Sequence, residues 1–398
     1  MQSPAVPPHV PARLVTDFVY SDMRGETDVY RHFHRLHDGP DIVYTTHDGG
    51  YWIVTRYADM EHVLSNHKDF SNRHQSLPKN PITLPLLEYD GSLHADFRNV
   101  LARFFTPKSI NNLEGRSRDL TVALIEGFRT KGGCDFVSEF SQKMPIMILM
   151  NLLDLPEADT PYLLKISEDI VRSGDAAVQT AGFQRVGEYI GGKIIPVRRA
   201  NPGDDIFSAI VNAKVDGGRP MSDPEIIGFG TLLIAAGLDT VASMLAYITK
   251  FLGENPGHLR QLQDDPALIN DALEEMMRRF HIANIARVVK HDMEYKGVSF
   301  KADECILVPT SAAGIDERRY PNPWTVDFHR PDRRSLVFGR GPHQCIGAFL
   351  ARTELRVFLQ EWTRRIPRYS IKAGESPVCV PGKANGMRYL PLEWPLNG

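Results

Sequence analysis

Between Ser222 and Pro256 runs a stretch that fits only a buried helix. Ser222-Asp223-Pro224-Glu225 supplies a capping residue, a proline in the first turn and an acid, which is a start signal. Gly253-Glu254-Asn255-Pro256 is a stop signal. At 1.5 Å per residue the helix spans about 40 Å. Ile226, Phe229, Leu232, Leu233, Ile234, Leu238, Met244 and Leu245 place apolar side chains all round it, as in a helix surrounded by protein. Yet its middle reads Ala236-Gly237-Leu238-Asp239-Thr240. A carboxylate and a hydroxyl in mid-core are costly unless partnered. Polarity that breaks an apolar pattern in this way marks a functional site.

The remainder of the 398 residues is organised around that helix. Ile42–Thr46 and Tyr51–Arg56 flank His47-Asp48-Gly49-Gly50 and read as a hairpin. Helical patterns then dominate to about Phe280. Val288–Pro309 returns to short strands with Lys296-Gly297 as a turn, and the chain from Pro367 is again strand-like. With 42% hydrophobic residues it can bury a large core. The expectation is one mainly α domain with small β-sheets over 1–398, its proline-rich residues 1–20 loosely ordered. A net charge of −3 argues against a nucleic-acid binder. The N-terminus lacks the basic and apolar regions of a secretory signal. The greasiest windows, Met144–Leu155 and Leu232–Leu238, fall short of the roughly 20 apolar residues of a membrane span. Cys134, Cys305, Cys345 and Cys379 are far apart, with neither a C-x-x-C pair nor a zinc spacing. That usage suggests a reducing cytoplasm, and the short apolar windows suggest no membrane association.

Phe338-Gly339-Arg340-Gly341-Pro342-His343-Gln344-Cys345-Ile346-Gly347 delivers one cysteine to the start of a helix, where Ala351, Leu355, Phe358, Leu359 and Trp362 repeat at helical spacing. Free backbone N–H groups and the helix dipole there lower a thiol's pKa from about 8.5 toward the thiolate. Gly341 and Gly347 allow backbone to approach a flat ligand, and Phe338 can shield the sulfur. This F-x-x-G-x-x-x-C-x-G loop resembles the haem-binding loop of the cytochrome P-450 family.

The resemblance implies that fold, with the long helix over a haem b and Cys345 as the iron's axial ligand. Three further matches follow in the family's order. Glu275-Met276-Met277-Arg278 resembles its E-x-x-R pair, and Arg330 the arginine that completes a structural ion network around the cysteine loop. His94 and Arg98, one turn apart, resemble its haem-propionate pair, a spacing that suits a carboxylate. Arg287 and His343 stand where relatives place further propionate partners. Ala236-Gly237-Leu238-Asp239-Thr240 resembles the oxygen-activation segment, with Asp239 and Thr240 as catalytic residues. A hydroxyl bonded back to the carbonyl four residues earlier opens such a helix, leaving room beside Ala236 and Gly237.

The implied reaction is insertion of one atom of dioxygen into a C–H bond. No flavin or iron–sulfur module is expected in the chain, so electrons are expected from a [2Fe–2S] ferredoxin and its reductase, docking on Arg98, Arg333, Arg334, Arg340 and Arg352. Within the family the chain is most similar to the camphor-hydroxylase group, through Gly237–Val241 and Glu361–Pro367. Alignment places Ile82 where camphor hydroxylase has its substrate-anchoring tyrosine. The expected pocket is apolar, formed by Ile82, Leu232, Leu233, Ala235, Ala236, Ala283 and Ala384. It suits a terpenoid or norisoprenoid rather than camphor. A peroxide-driven peroxygenase and a non-catalytic haem sensor or carrier are the rival readings. His32, His34 and His37, interleaved with Arg31 and Arg35, read as a solvated helix face rather than a metal site.

Overall fold

The computed structural model describes residues 5–77, 79, 82–171 and 176–396. A six-stranded sheet has the strand order β1 (Val15–Thr16), β2 (Ile42–Thr45), β3 (Tyr51–Val54), β6 (Cys305–Pro309), β5 (Asn284–Val289) and β4 (Phe70–Ser71). The β1/β2 and β3/β6 pairings are parallel; β2/β3, β6/β5 and β5/β4 are antiparallel. The expected hairpin is β2–β3, turned through Gly49 and Gly50 at positive φ. Lys296-Gly297 likewise turns Met293–Tyr295 onto Val298–Phe300.

Helices form most of the remainder. Among them are α1 (Val29–His34), α2 (Pro85–Glu88), α3 (Gly91–Ala102), α4 (Lys143–Leu152), α5 (Asp223–Glu254), α6 (Ile269–Arg279) and α7 (Ala348–Arg365). α5 is the expected central helix. Its capping box is complete: the Ser222 side chain caps the first turn while Glu225 accepts the Ser222 backbone N–H at 2.9 Å. Ile226, Phe229, Ile234, Leu245, Ile248 and Leu252 are buried along it. Among the described residues α5 alone is long and apolar enough to cross a membrane, but 71% of its most apolar window is buried inside the protein. It is therefore a core helix here.

Residues 5–20 correct the expectation of a loose N-terminal segment, whose first four residues lie outside the described set. Val10, Leu14, Phe18 and Tyr20 are buried, β1 pairs with β2, and the Tyr20 hydroxyl donates to the Leu77 carbonyl. Val10, Leu14 and Phe18 recur at helical spacing, but Pro11 interrupts them and the segment forms only a 3-10 turn (Ala12–Leu14) before β1. Burying each is nonetheless worth about 1.5–3 kcal/mol, enough to hold an irregular segment on the core.

Candidate active site

The loop carrying Cys345 is shaped by its own backbone. The Gly339 N–H donates to Leu336 O and the Cys345 N–H to Phe338 O, both at 2.9 Å. Gly341 sits at φ +72°, and a Cβ there would lie 3.0 Å from the Leu64 carbonyl oxygen, so both conformation and space require glycine. Gly347 ends the loop and its N–H faces the Cys345 sulfur. Cys345 keeps one open side. Protein packed round the rest pushes its thiol pKa up, against the lowering influence of the Gly347 N–H, Arg98 and Arg352. Desolvation thus opposes the lowering that the helix start provides. The guanidinium of Arg352 lies 4.5 Å over the Phe338 ring.

Buried charge anchors this loop. Glu275 and Arg278, both fully buried, pair through two bonds of 2.8 and 3.0 Å, and Arg330 Nε donates to the same carboxylate at 3.0 Å. The two arginines also donate to the carbonyls of Gly314, Pro321, Asn322, Pro323 and Thr325. A buried ion pair of this kind is tolerated only where its remaining hydrogen-bonding groups are satisfied, as here. His281, which the sequence did not single out, adds a direct tie: its Nε2 accepts the Leu336 N–H at 3.0 Å. Burial drives its pKa down to about 3, so the ring stays neutral and able to accept.

α3 links this loop to the central helix. The His94 ring lies 3.9 Å from that of His343, and Phe97, three residues on along the same side of α3, meets Phe229 of α5 at 5.5 Å. Asp90, just ahead of α3, lies 3.5 Å from His343. Burial would raise its carboxyl, but bonds from His343, Ser71 and the Asn72 backbone hold it well below the usual range. Asp90 was also missed; its only sequence signal is an acid directly before a helix. Burial, with His343 and Arg98, pushes His94 down to about 4, and its Nε2 is buried without a hydrogen-bond partner. Arg287, 4% exposed, donates to Ala286 O at 2.9 Å, and burial lowers it to about 10. Neither Arg98 nor Arg287 has a carboxylate within ion-pair distance among the described residues. The set therefore offers two cations and an orphaned imidazole against the single acid Asp90. That imbalance fits a ligand bringing two carboxylates, and with one thiol nearby it suits an iron porphyrin.

The centre of α5 stays helical, and its polar residues sit where the burial breaks. Ala236 and Thr240 are exposed in a mostly buried helix, and the Thr240 hydroxyl donates to Ala236 O at 3.0 Å. Asp239, 6% exposed, lies beside them with interactions of its own. A Cβ on Gly237 would meet Leu149 of α4 at 2.9 Å, so α4 and α5 are in close contact there. Among the expected pocket residues, Leu232 and Leu233 belong to one apolar cluster against which Ile82 packs. Ala283 and Ala384 face each other in an isolated β-bridge, and Ala235 is half-buried. A further residue shapes this wall: a Cβ on Gly228 would lie 2.3 Å from the Thr83 carbonyl oxygen, so only glycine lets residues 82–88 lie on α5.

On the Cys345 loop's outer side, Arg333, Arg334, Phe338, Arg340, Gln344 and Arg352 help line a concavity of about 350 Å³. Arg98, expected among these arginines, is not part of that lining; its charge acts on His94, His343 and Cys345. The others are partly neutralised, Arg333 by Asp271, Arg334 by Asp332, Arg340 by Glu61 and Arg352 by Glu274. The expected solvated histidine face is also corrected. His32 and His37 are buried: His32 stacks on Phe18 at 4.6 Å, and His37 lies under Glu317.

Residues 196–372 match the Cytochrome P450 family model. "Probable cytochrome P450 127A1" of Sinorhizobium fredii is 32% identical, over 98% of this chain and 97% of its own length. Two solved structures, described as CYP101J2 and CYP101C1, are 34% and 31% identical, each covering 98% of this chain and 100% of its own, with TM-scores of 0.90. Sequence, fold and donor set agree: the chain belongs to the cytochrome P450 family and is a monooxygenase of that family, for which haem is the implied cofactor.

Proposed function

We propose that this chain hydroxylates a small hydrophobic terpenoid or norisoprenoid, using dioxygen and electrons from a [2Fe–2S] ferredoxin. One observation carries the reading: Thr240 holds its hydroxyl on the Ala236 carbonyl, at an exposed break in an otherwise buried helix, beside buried Asp239. When bound through Cys345, the haem supplies dioxygen activation, so that R–H, O2, two electrons and two protons become R–OH and water. The protein's part is to hold, shield and deliver protons. Arg98, Arg287, His94 and His343 would hold the propionates. The Gly347 N–H and the arginines about Cys345 stabilise negative charge on sulfur. Thr240 Oγ1 turns between its carbonyl and the dioxygen site, and Asp239 replenishes its proton from solvent. Glu275, Arg278 and Arg330 keep the cysteine loop in register.

Ile82, Leu232, Leu233, Ala235, Ala283 and Ala384 contribute apolar walls that hold the substrate by area rather than by a hydrogen bond. Ferredoxin docks over the concavity beside Phe338, its acidic face meeting Arg333, Arg334, Arg340 and Arg352. Turnover with ferredoxin then slows as salt rises; a salt-independent rate contradicts that docking.

The central test is coupling. Thr240→Ala is expected to keep consuming reductant while product per reductant falls about tenfold or more, and Thr240→Ser to restore it, within the range for a positioned proton donor. Full coupling in Thr240→Ala overturns the assignment. Substrate class is tested by following the Soret band while titrating camphor and ionones; a tight, complete shift with camphor removes the terpenoid-other-than-camphor reading.

A further inference from the structure

Outside the site described, one group of side chains has the chemistry of a ligand set. His34 at the end of α1, His37 three residues later and Glu317 each offer one ligand atom, and all three atoms lie within 4.8 Å of one another. His37 is the inner member, with a side chain 2% exposed and neither ring nitrogen hydrogen-bonded. Its Nδ1 stands 3.4 Å from Glu317 Oε2 without a hydrogen bond. Two ligand atoms on one tetrahedral zinc ion, with bonds of 2.0–2.2 Å, are separated by about 3.4 Å.

The surroundings fix part of this group and leave part adjustable. Arg56 Nη1 donates to the other Glu317 oxygen at 2.7 Å and to Asp316 at 3.2 Å, and its Nη2 to the His37 carbonyl at 2.7 Å. It thus orients both the carboxylate and the backbone of a ligand residue, as outer partners of metal sites do. Its positive charge is met by Asp316, Glu317 and Asp41. His34 lies edge-on to His37 and to Trp324, each at 5.3 Å between ring centres. The Glu317 side chain is 49% exposed and His34 half-buried, so both can close the remaining distance while water takes a fourth position.

We propose that His34, His37 and Glu317 form a site for a divalent transition metal, with zinc the best match to two imidazoles and one carboxylate. The ion clasps α1 to the segment following β6, on the side where Trp324 sits between carbonyls held by Arg278. It is a structural site, separate from the haem-binding residues.

The experiment uses tag-free, haem-loaded enzyme stripped with chelator and dialysed against micromolar zinc. The wild type is expected to retain one zinc equivalent more than His34→Ala or Glu317→Gln, each of which weakens binding at least tenfold. Its melting temperature rises with zinc while theirs does not. His37 is left intact because its burial makes folding part of any substitution. Diethyl pyrocarbonate footprinting supplies a test without variants: zinc must protect His34 in the wild type. With 14 histidines in the chain, binding elsewhere is the competing outcome. Zinc retention unchanged by both substitutions, or His34 labelled equally with and without zinc, overturns the proposal.

Discussion

Arg287 is a cation in the interior whose surroundings include one carbonyl bond and the distant field of Asp90. Its folding cost is unexplained by protein contacts, but a carboxylate arriving with a ligand would meet it. The same holds for the unpartnered Nε2 of His94. A hydrogen bond to a charged group is worth about 1.5–3 kcal/mol, which is about 10- to 150-fold in an equilibrium. Arg287→Met is therefore expected to raise haem loss at least tenfold, measured by transfer to an excess of apomyoglobin. His94→Phe should produce a smaller increase, since neutral imidazole makes the weaker bond. Unchanged transfer in Arg287→Met would remove it from the propionate group. At Cys345 the competition runs the other way: burial raises the thiol more than one N–H and two guanidinium groups lower it.

Elements meet through contacts that single glycines permit. Replacing an interior helical glycine by alanine normally gains about 1 kcal/mol of helix propensity. At Gly228 the added Cβ would stand 2.3 Å from the Thr83 carbonyl, so residues 82–88 must move off α5. Gly228→Ala is expected to weaken substrate-induced Soret shifts about tenfold or more, with α5 itself retained by circular dichroism; unaltered binding would show that this segment does not wall the pocket. In the ion network, Glu275→Gln leaves two buried arginines short of their acid and should destabilise the protein by about 3–5 kcal/mol in a urea midpoint comparison. Much of this scaffold was legible in the chain. The α5 ends followed from local capping chemistry, and the cysteine loop and E-x-x-R pair from fixed short spacings. What escaped depends on tertiary partners. Whether Arg98 faced the propionate group or the outer concavity was not decided by its place on α3. Nor did His281 carry a motif, because its role is to accept one N–H from a residue 55 positions away. The spacing of His32, His34 and His37 suited solvent as well as burial, and packing against Phe18 and Glu317 decided it.

Across the whole molecule, histidine burial sets a direction for pH dependence. His32, His37 and His281, none of them assigned to the haem, all have pKa values lowered chiefly by desolvation, His281 to about 3. In the unfolded chain each titrates near 6.5, so below that pH the unfolded state binds protons the native state refuses. Stability is thus fully present above about pH 6.5 and falls as pH drops toward 4, each histidine contributing a slope of up to about 1.4 kcal/mol per pH unit. Below about 4.5, Glu114 and Glu225, held down to about 2 by their arginine partners, add loss of the same sign. The urea midpoint of the haem-loaded enzyme is therefore expected to fall steadily from pH 7.5 to 5. His281→Gln separates this cause from general charge repulsion. Its amide oxygen can still accept the Leu336 N–H but binds no proton when unfolded, so the variant should lose one histidine's share of the slope while keeping its neutral-pH spectrum. A midpoint independent of pH over this range, or the full slope in His281→Gln, would mean that the buried rings are not what makes the fold acid-sensitive.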